Sequence, residues 1–292
     1  MDAHLRDLRY FVAVAEELSF TRAAERLFVS QPALSKQIRQ LEEQLRVRLL
    51  HRDRRSVSLT AAGRALLPAA CEMLLAWDGA QRAVSDAAAS EASVVTVGMS
   101  TSIGRGLLAD LRERFAERRP TWRIRFRQVN WDDPTAGLGE GDVDVAFVWL
   151  PIPRQDAFNV QVVAEEPRCV ALRDDHRFAG REAIAFEELL DEPFIALPEE
   201  AGPLRDFWLA LDERAGKPVR IGATVSNADE TFAAIEDGSG VVLMASGNAA
   251  IYRRPGIVTV PVTGLSPSRL ALAWRTGDHR TAVRDLLHTA TG

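Results

Sequence analysis

Cysteine is scarce and long apolar stretches are missing. Only Cys71 and Cys169 occur in 292 residues, far apart and in no CxxC spacing, so reduced structural thiols are expected rather than a redox switch. The five histidines (His4, His51, His176, His279 and His288) show no ligand spacing, so neither a metal site nor a cofactor is expected. No apolar run approaches the about 20 residues that a membrane span needs. No charged-then-apolar leader opens the sequence, which points to a cytoplasmic protein without a membrane anchor. Catalytic signatures are missing as well: there is no GxSxG, Walker-type loop, HExxH or glycine-rich dinucleotide fingerprint after a strand. The acids and glycines of GDVDVAF and EDGSGV fit turns, and the serines near residue 100 have no sequence-identifiable base beside them. An enzyme is not expected.

What is present suits two or three compact domains: 47% hydrophobic residues leave ample material for cores. The net charge of −5 is unevenly spread. Residues 1–60 hold 11 Arg/Lys against 8 Asp/Glu, a net of +3, and the remainder 25 against 33, a net of −8. A basic head on an acidic body fits a protein that meets a polyanion with one end. An excess of +3 is modest, so affinity is expected to need two or more heads together.

The stretch Ser19–Thr60 organises the head. Leu34, Ile38, Leu41 and Leu45 recur at steps of four, three and four, the buried stripe of a helix. The opposite face carries Pro32, Lys36, Arg39, Gln40 and Glu43, with Ser35 on its flank. Ser30 is placed to cap the N-terminus, and Pro32 falls in the first turn, where a missing N–H costs little. Ala23, Ala24 and Leu27 form a short preceding helix whose small side chains permit close approach. Arg46, Arg48, Arg52, Arg54 and Arg55 then lie within ten residues, while Val57 and Leu59 alternate with Ser56 and Ser58 as in a strand. Helix, turn, polar helix and basic hairpin in this order predict a winged helix-turn-helix that binds double-stranded DNA. Gln31, Pro32, Ser35 and Lys36, at the start of the polar helix, are placed to meet base edges. Arg39, Arg52, Arg54 and Arg55 are placed to touch phosphates, and Thr21 on the preceding helix completes the candidate set.

Before this stretch, Leu5, Leu8, Phe11, Val12, Ala15 and Leu18 form one helical stripe. After it, Thr60 can cap a long helix over 61–86, along which Leu66, Ala70, Met73, Trp77, Ala80 and Val84 step as a heptad seam. Pro68 inside it predicts a local kink. The small residues DAAASEAS (86–93) read as a hinge.

From Val94 the texture becomes α/β. Strands are expected at 94–100, 122–129, 143–150, 168–173, 193–198, 218–225, 241–245, 257–262 and 270–275. Helices are expected at 107–120, 204–215, 227–237 and 281–290. Near-continuous apolar strands in β–α–β order argue for a parallel sheet covered by helices. Ligands of such sheets sit beyond strand ends and at helix N-termini. That singles out Ser100, Thr101 and Ser102; Trp131 and Trp149; Pro198 and Gly202; and Ser226 with Asn227. Met99, Phe147 and Leu197 are expected in the core.

The run LRYFVAVAEELSFTRAAERLFVSQPALSKQIRQLEEQL, then RLLHR and LTAAGRALL, resembles the N-terminal domain of LysR-type transcriptional regulators. The match is motif by motif over about 90 residues and architectural beyond. Two positions depart from the pattern: Arg46 stands where the family usually has Gly, and Leu50 where it has Phe. The resemblance implies a DNA-binding domain (1–60), a dimerisation linker helix and hinge (61–92) and a two-lobed α/β effector domain (93–292) similar to periplasmic binding proteins. Lobe I would take 93–163 and 266–292, and lobe II 164–265. It further implies a homotetramer built as a dimer of dimers, a small-molecule effector contacted by Ser102, and contact with RNA polymerase. Branches sensing small carboxylates carry arginine at the place of Trp149 and commonly threonine at that of Trp131. Two tryptophans there favour an aromatic or ring-bearing effector, with Ser102, Asn227 and helix N-termini orienting a polar or anionic end. The alternatives are a constitutive DNA-binding protein with a ligand-free second module, and a solute-binding protein or enzyme fused to a DNA-binding head.

Overall fold

The computed structural model describes residues 4–52 and 57–290, and the chain divides into two compact units, 1–88 and 89–292. In the first unit, α1 (Leu5–Glu17), α2 (Phe20–Arg26) and α3 (Gln31–Leu45) lead into a hairpin of β1 (Leu50–Arg52) and β2 (Val57–Leu59), then into α4 (Ala61–Glu91). The predicted stripe holds: Leu34, Ile38 and Leu41 of α3 are fully buried against Phe11, Ala23, Ala24, Leu49 and Leu50. Each fully buried Leu or Ile contributes about 1.5–3 kcal/mol relative to exposure. Ser30 caps α3 by accepting from the Ala33 N–H at 3.4 Å.

At the end of α3, Arg46 adopts φ 55° and ψ 30°, the left-handed cap that glycine takes without a Cβ penalty. Glu42, on the polar side of the sequence pattern, is buried, and its Oε1 accepts from the N–H groups of Leu49 at 2.9 Å and Leu50 at 3.2 Å. A helix carboxylate thus fixes the start of the hairpin. Thr60 caps α4 through the Gly63 N–H at 3.0 Å. A Cβ on Gly63 would stand 2.1 Å from the Leu49 carbonyl, so only glycine lets α4 cross the hairpin this closely. The helix assignment of α4 is continuous through Pro68.

The expected heptad seam of α4 splits in two. Ala70 is fully buried in the core of the first unit and is not available to a second chain, while half-buried Leu66 packs against that core. Met73, Trp77, Ala80 and Val84 remain exposed, Trp77 at 45% and Val84 at 72%.

In the second unit, β3 (Val94–Met99), α5 (Leu107–Arg118), β4 (Arg123–Gln128), β5 (Val145–Leu150) and β6 (Phe158–Glu166) begin lobe I. The chain then builds lobe II from β7 (Arg168–Arg173), β8 (Ile184–Ala185), β9 (Pro193–Ala196), α6 (Pro203–Trp208), β10 (Arg220–Thr224), α7 (Ala228–Glu236), β11 (Val242–Ala245), α8 (Ser246–Ile251) and β12 (Ile257–Thr263). It returns with β13 (Ser268–Arg275) and α9 (Thr281–Thr289). The lobe I sheet has the order β4-β3-β5-β13-β6, and lobe II has β11-β7-β12-β8 with the pair β10-β9 beside it.

The lobe I sheet is not wholly parallel. β3 is parallel to β4 and β5, but the returning β13 is antiparallel to both β5 and β6. Every residue of β5 is buried, as its unbroken apolar sequence requires. Edge strand β4 alternates instead, with Arg123, Arg125 and Arg127 outward and Ile124 and Phe126 against the core. The helix expected over 204–215 stops at Trp208, because Ala210 takes a left-handed φ of 53° and a single 3-10 turn, 211–214, follows. Among the described residues, no helix is long and apolar enough to cross a membrane.

Candidate DNA-reading surface and effector cavity

On the first unit, α3 exposes Gln31, Pro32, Lys36, Arg39, Gln40 and Glu43, and α2 exposes Thr21. Among the described residues Lys36, Arg39 and Arg46 form no ion pair, whereas Arg22 and Arg26 are taken up by Glu16 and Glu17. Three cations without an ion pair thus lie together on α3 and its C-terminal cap. Ser35 departs from expectation: it is 8% exposed, and its Oγ accepts from Gln31 Nε2 at 2.9 Å. It positions Gln31 rather than facing outward itself. The hairpin pairs Leu50 with Leu59 and Arg52 with Val57; Arg54 and Arg55 lie outside the described residues. Arg48, 3.7 Å from Glu42, joins Arg39 and Arg46 around a groove at the end of α3 that the helix pattern alone did not reveal.

In the second unit a cavity of about 80 Å³ lies between the lobes. Four of the expected residues meet there: Ser100, Thr101, Trp131 and Trp149. Sequence reasoning missed Trp208, Phe232, Asn248 and Tyr252, and Leu197, which packs against the core as expected, also lines the cavity. Ser102, Pro198, Gly202, Ser226 and Asn227 are not among the lining residues. Asn227 does the simpler job of capping α7, accepting from the Glu230 N–H at 3.0 Å. Gly202 precedes α6 with φ 52°, a conformation that places Pro203 in the first helical turn.

Among the described residues no acidic or basic side chain lines this cavity, although the Arg105 guanidinium lies 5.6 Å from the ring of Trp149 behind the wall. Its polar groups are mostly engaged by the protein. Trp131 Nε1 donates to the Ser100 carbonyl at 2.9 Å, and Trp149 Nε1 to Thr101 Oγ1 at 3.3 Å. Thr231 Oγ1 donates to the Asn227 carbonyl, and Asn248 Oδ1 accepts from Arg105 at 3.2 Å. Asn248 Nδ2 and the Ser100 hydroxyl make no hydrogen bond among the described residues.

Several ties join the lobes around the cavity. The Trp131 N–H donates to the Ser226 carbonyl at 2.9 Å, and the Ser102 N–H donates to Tyr252 Oη at 2.7 Å. Trp149 meets Trp208 edge to face, with centroids 5.8 Å apart. Arg105, just beyond β3, forks onto Glu166 at 2.5 and 2.7 Å while also reaching Asn248 of α8. Glu166 in turn accepts from the Gly247 N–H at 2.8 Å. The Arg105 hydrogen bond, with help from that N–H, outweighs burial and holds the Glu166 carboxyl below the usual range. Burial chiefly raises the Tyr252 hydroxyl above its ordinary value, so it is a neutral phenol at physiological pH.

The thiols stay apart from this chemistry. Cys71 belongs to α4, and Cys169 is buried in β7, where desolvation pushes its thiol up to about 12. A thiol at that value holds almost no thiolate and is a poor nucleophile. Among the described residues no three His, Cys, Asp or Glu side chains converge as metal ligands.

Both units resemble known proteins. Residues 5–64 match the bacterial regulatory helix-turn-helix protein, lysR family, and residues 88–291 match the LysR substrate binding domain. The HTH-type transcriptional regulator BudR of Raoultella terrigena is 34% identical, covering 97% of this chain and 98% of its own. Full-length CbnR in complex with its target DNA is 26% identical with TM-score 0.52, covering 99% of this chain and 98% of that one. A full-length OxyR variant from Pseudomonas aeruginosa is 26% identical with TM-score 0.53, covering 99% and 100%. The chain belongs to the LysR family of bacterial DNA-binding transcriptional regulators, not to an enzyme family.

Proposed function

We propose that the effector of this regulator is an uncharged, ring-bearing small molecule held between the lobes. The observation that carries this reading is the cavity wall: three indoles, Phe232 and Tyr252, with no acidic or basic side chain among the described residues. An ionised group moved into such a wall without a partner would lose its hydration for nothing, at a cost of several kcal/mol. The anionic ligand end expected from sequence loses its support, since Tyr252 already takes the Ser102 N–H and Asn227 caps its own helix. Flat apolar ligands instead gain edge-to-face contact with Trp149 and Trp208.

Residues 1–60 serve DNA binding, 61–92 assembly and 93–292 sensing. Gln31, Pro32 and Lys36 read base edges, with Ser35 orienting Gln31. Arg39 and the wing residues Arg52, Arg54 and Arg55 hold phosphates. The exposed Met73, Trp77, Ala80 and Val84 pair with a second copy, and two such dimers make the tetramer that recruits RNA polymerase in the cytoplasm. Control by the effector requires that it bind one arrangement of this assembly better than the other.

A thermal-shift panel of uncharged single- and double-ring compounds against their carboxylates tests the effector class. Stabilisation confined to uncharged members, accompanied by altered operator affinity, is expected. Stabilisation only by carboxylates contradicts the class, and no response to any compound favours the constitutive reading.

A further inference from the structure

A cavity of about 150 Å³ is of the size that holds a benzene ring, and this one offers about 80 Å³. A ring therefore enters as the lobes part, and groups beside the strands that cross between the lobes move least in such an opening. Glu166 ends β6 just before the crossing into β7, and Ser268 of the returning β13 donates its hydroxyl to the Glu166 carbonyl at 3.1 Å. Arg105 forks onto this hinge carboxylate at 2.5 and 2.7 Å, and the Gly247 N–H of α8 donates to it at 2.8 Å. A Cβ on Gly247 would stand 2.5 Å from the guanidinium and 2.7 Å from the carboxylate, so a side chain there would push the pair apart.

The next residue, Asn248, is 5% exposed and lines the cavity. Two nitrogens of Arg105 lie 3.2 Å from its Oδ1. A guanidinium has donors only, so the amide turns its oxygen to Arg105 and its Nδ2 away. Nδ2 makes no hydrogen bond among the described residues, yet it is not sealed in the interior. The sealed side-chain atoms without a partner among those residues are Asp7 Oδ1 and two Arg214 nitrogens. Nδ2 thus opens on the cavity that its residue lines.

Resting on the reading of the cavity given above, we propose that Asn248 Nδ2 is the donor that selects the effector, which carries a neutral acceptor such as a carbonyl beside its ring. Arg105 touches no ligand and is a positioning residue: it fixes which end of the amide faces the cavity. A ring without an acceptor strips water from Nδ2 and leaves it unpaired, so such a ligand binds more weakly. A carboxylate gains one donor but no free cation, because Glu166 already holds Arg105.

Acetophenone and α-methylstyrene, which has a methylene in place of the ketone oxygen, test this on the full-length protein by tryptophan emission. Wild type binds the ketone about fivefold tighter, the ratio for one neutral hydrogen bond. Asn248→Leu abolishes that preference, and the bound ketone loses the fall in carbonyl stretching frequency that isotope-edited infrared spectra show in wild type. Asn248→Asp sets a carboxylate oxygen where the donor stood and inverts the preference. Arg105→Gln lets the amide turn and shrinks the preference, a ratio that a general loosening of the lobes does not move. Equal binding of the two compounds by wild type, or a preference that survives Asn248→Leu, means that Asn248 only ties the lobes, although the aromatic cavity stands. A preference that survives Arg105→Gln removes the positioning role. If neither compound alters wild-type tryptophan emission, the reading of the cavity fails and this proposal with it.

Discussion

The polar helix of the first unit and the buried arginine clusters of the second treat their charges in opposite ways. In the first, Lys36, Arg39 and Arg46 stand in solvent without an ion-pair partner among the described residues, available to a polyanion. In the second, Arg105, Arg168 and Arg280 are all engaged: Arg105 by Glu166 and Asn248, Arg168 by Glu213 and Ser266, Arg280 by Asp144 and Asp278. A surface that binds a highly charged partner gains from leaving cations unpaired, because the partner completes them. A cleft built for an uncharged ligand gains from neutralising its own charges first, because any left over would be desolvated on closure.

The largest effect that could break this contrast lies on α3. Lys36→Ala with Arg39→Ala should weaken operator binding by roughly 100-fold, if each contributes about 1.4 kcal/mol, within the range of a specific contact. Thermal stability should hardly move, since both side chains are exposed and unpaired. Fluorescence anisotropy beside differential scanning calorimetry checks both halves. Next comes Trp77→Ala, which should loosen the subunit pair by about 30-fold, as for an interface hot spot of about 2 kcal/mol. Equilibrium sedimentation reads that shift, and an unchanged assembly would remove the α4 face from the account.

A smaller effect concerns the charges buried around the cleft. The Glu166 carboxyl is held below its ordinary value in the folded protein, so its stabilising contribution is complete above the unfolded glutamate value of about 4.3. It is lost as pH falls from there through the folded value. Glu166→Gln should therefore lower stability at pH 7 and flatten the decline in melting temperature as pH falls below about 4.3. Smallest is Arg46→Gly, which should stabilise the head by about 1 kcal/mol by relieving a left-handed arginine. It should also cost some DNA affinity and lower the salt slope, because a free cation is lost.

Legibility from sequence followed the range of the contacts. The α3 stripe, the Ser30 cap and the Asn227-headed helix depend on neighbours three or four residues away, and periodicity reveals such contacts. Strand β6, FNVQVVAEE, escaped because its apolar residues are interrupted by Asn, Gln and a terminal pair of acids; its place in the sheet is fixed by β13, about a hundred residues later. The burial of Glu42 and Ser35 also escaped, since a polar residue on a polar helix face gives no sign that a turn will fold over it. Leu66 and Ala70 fit the heptad as well as Trp77 does, and only the packed head shows that their partners lie in their own chain. Two of the three tryptophans of the cavity could be found at strand ends. Tyr252 could not, because nothing in AAIYRRPG signals a partner 150 residues earlier in sequence.

The central claim is that the cleft accepts a ring and refuses a charge, and one titration tests it most directly. Phenylacetamide and phenylacetate differ in little but that charge. Tryptophan emission of wild type should respond saturably to the amide and at least tenfold more weakly to the acid at neutral pH, with the amide response much reduced in Trp149→Phe. Equal or tighter binding of phenylacetate, at a site that Trp149→Phe leaves intact, would contradict the account.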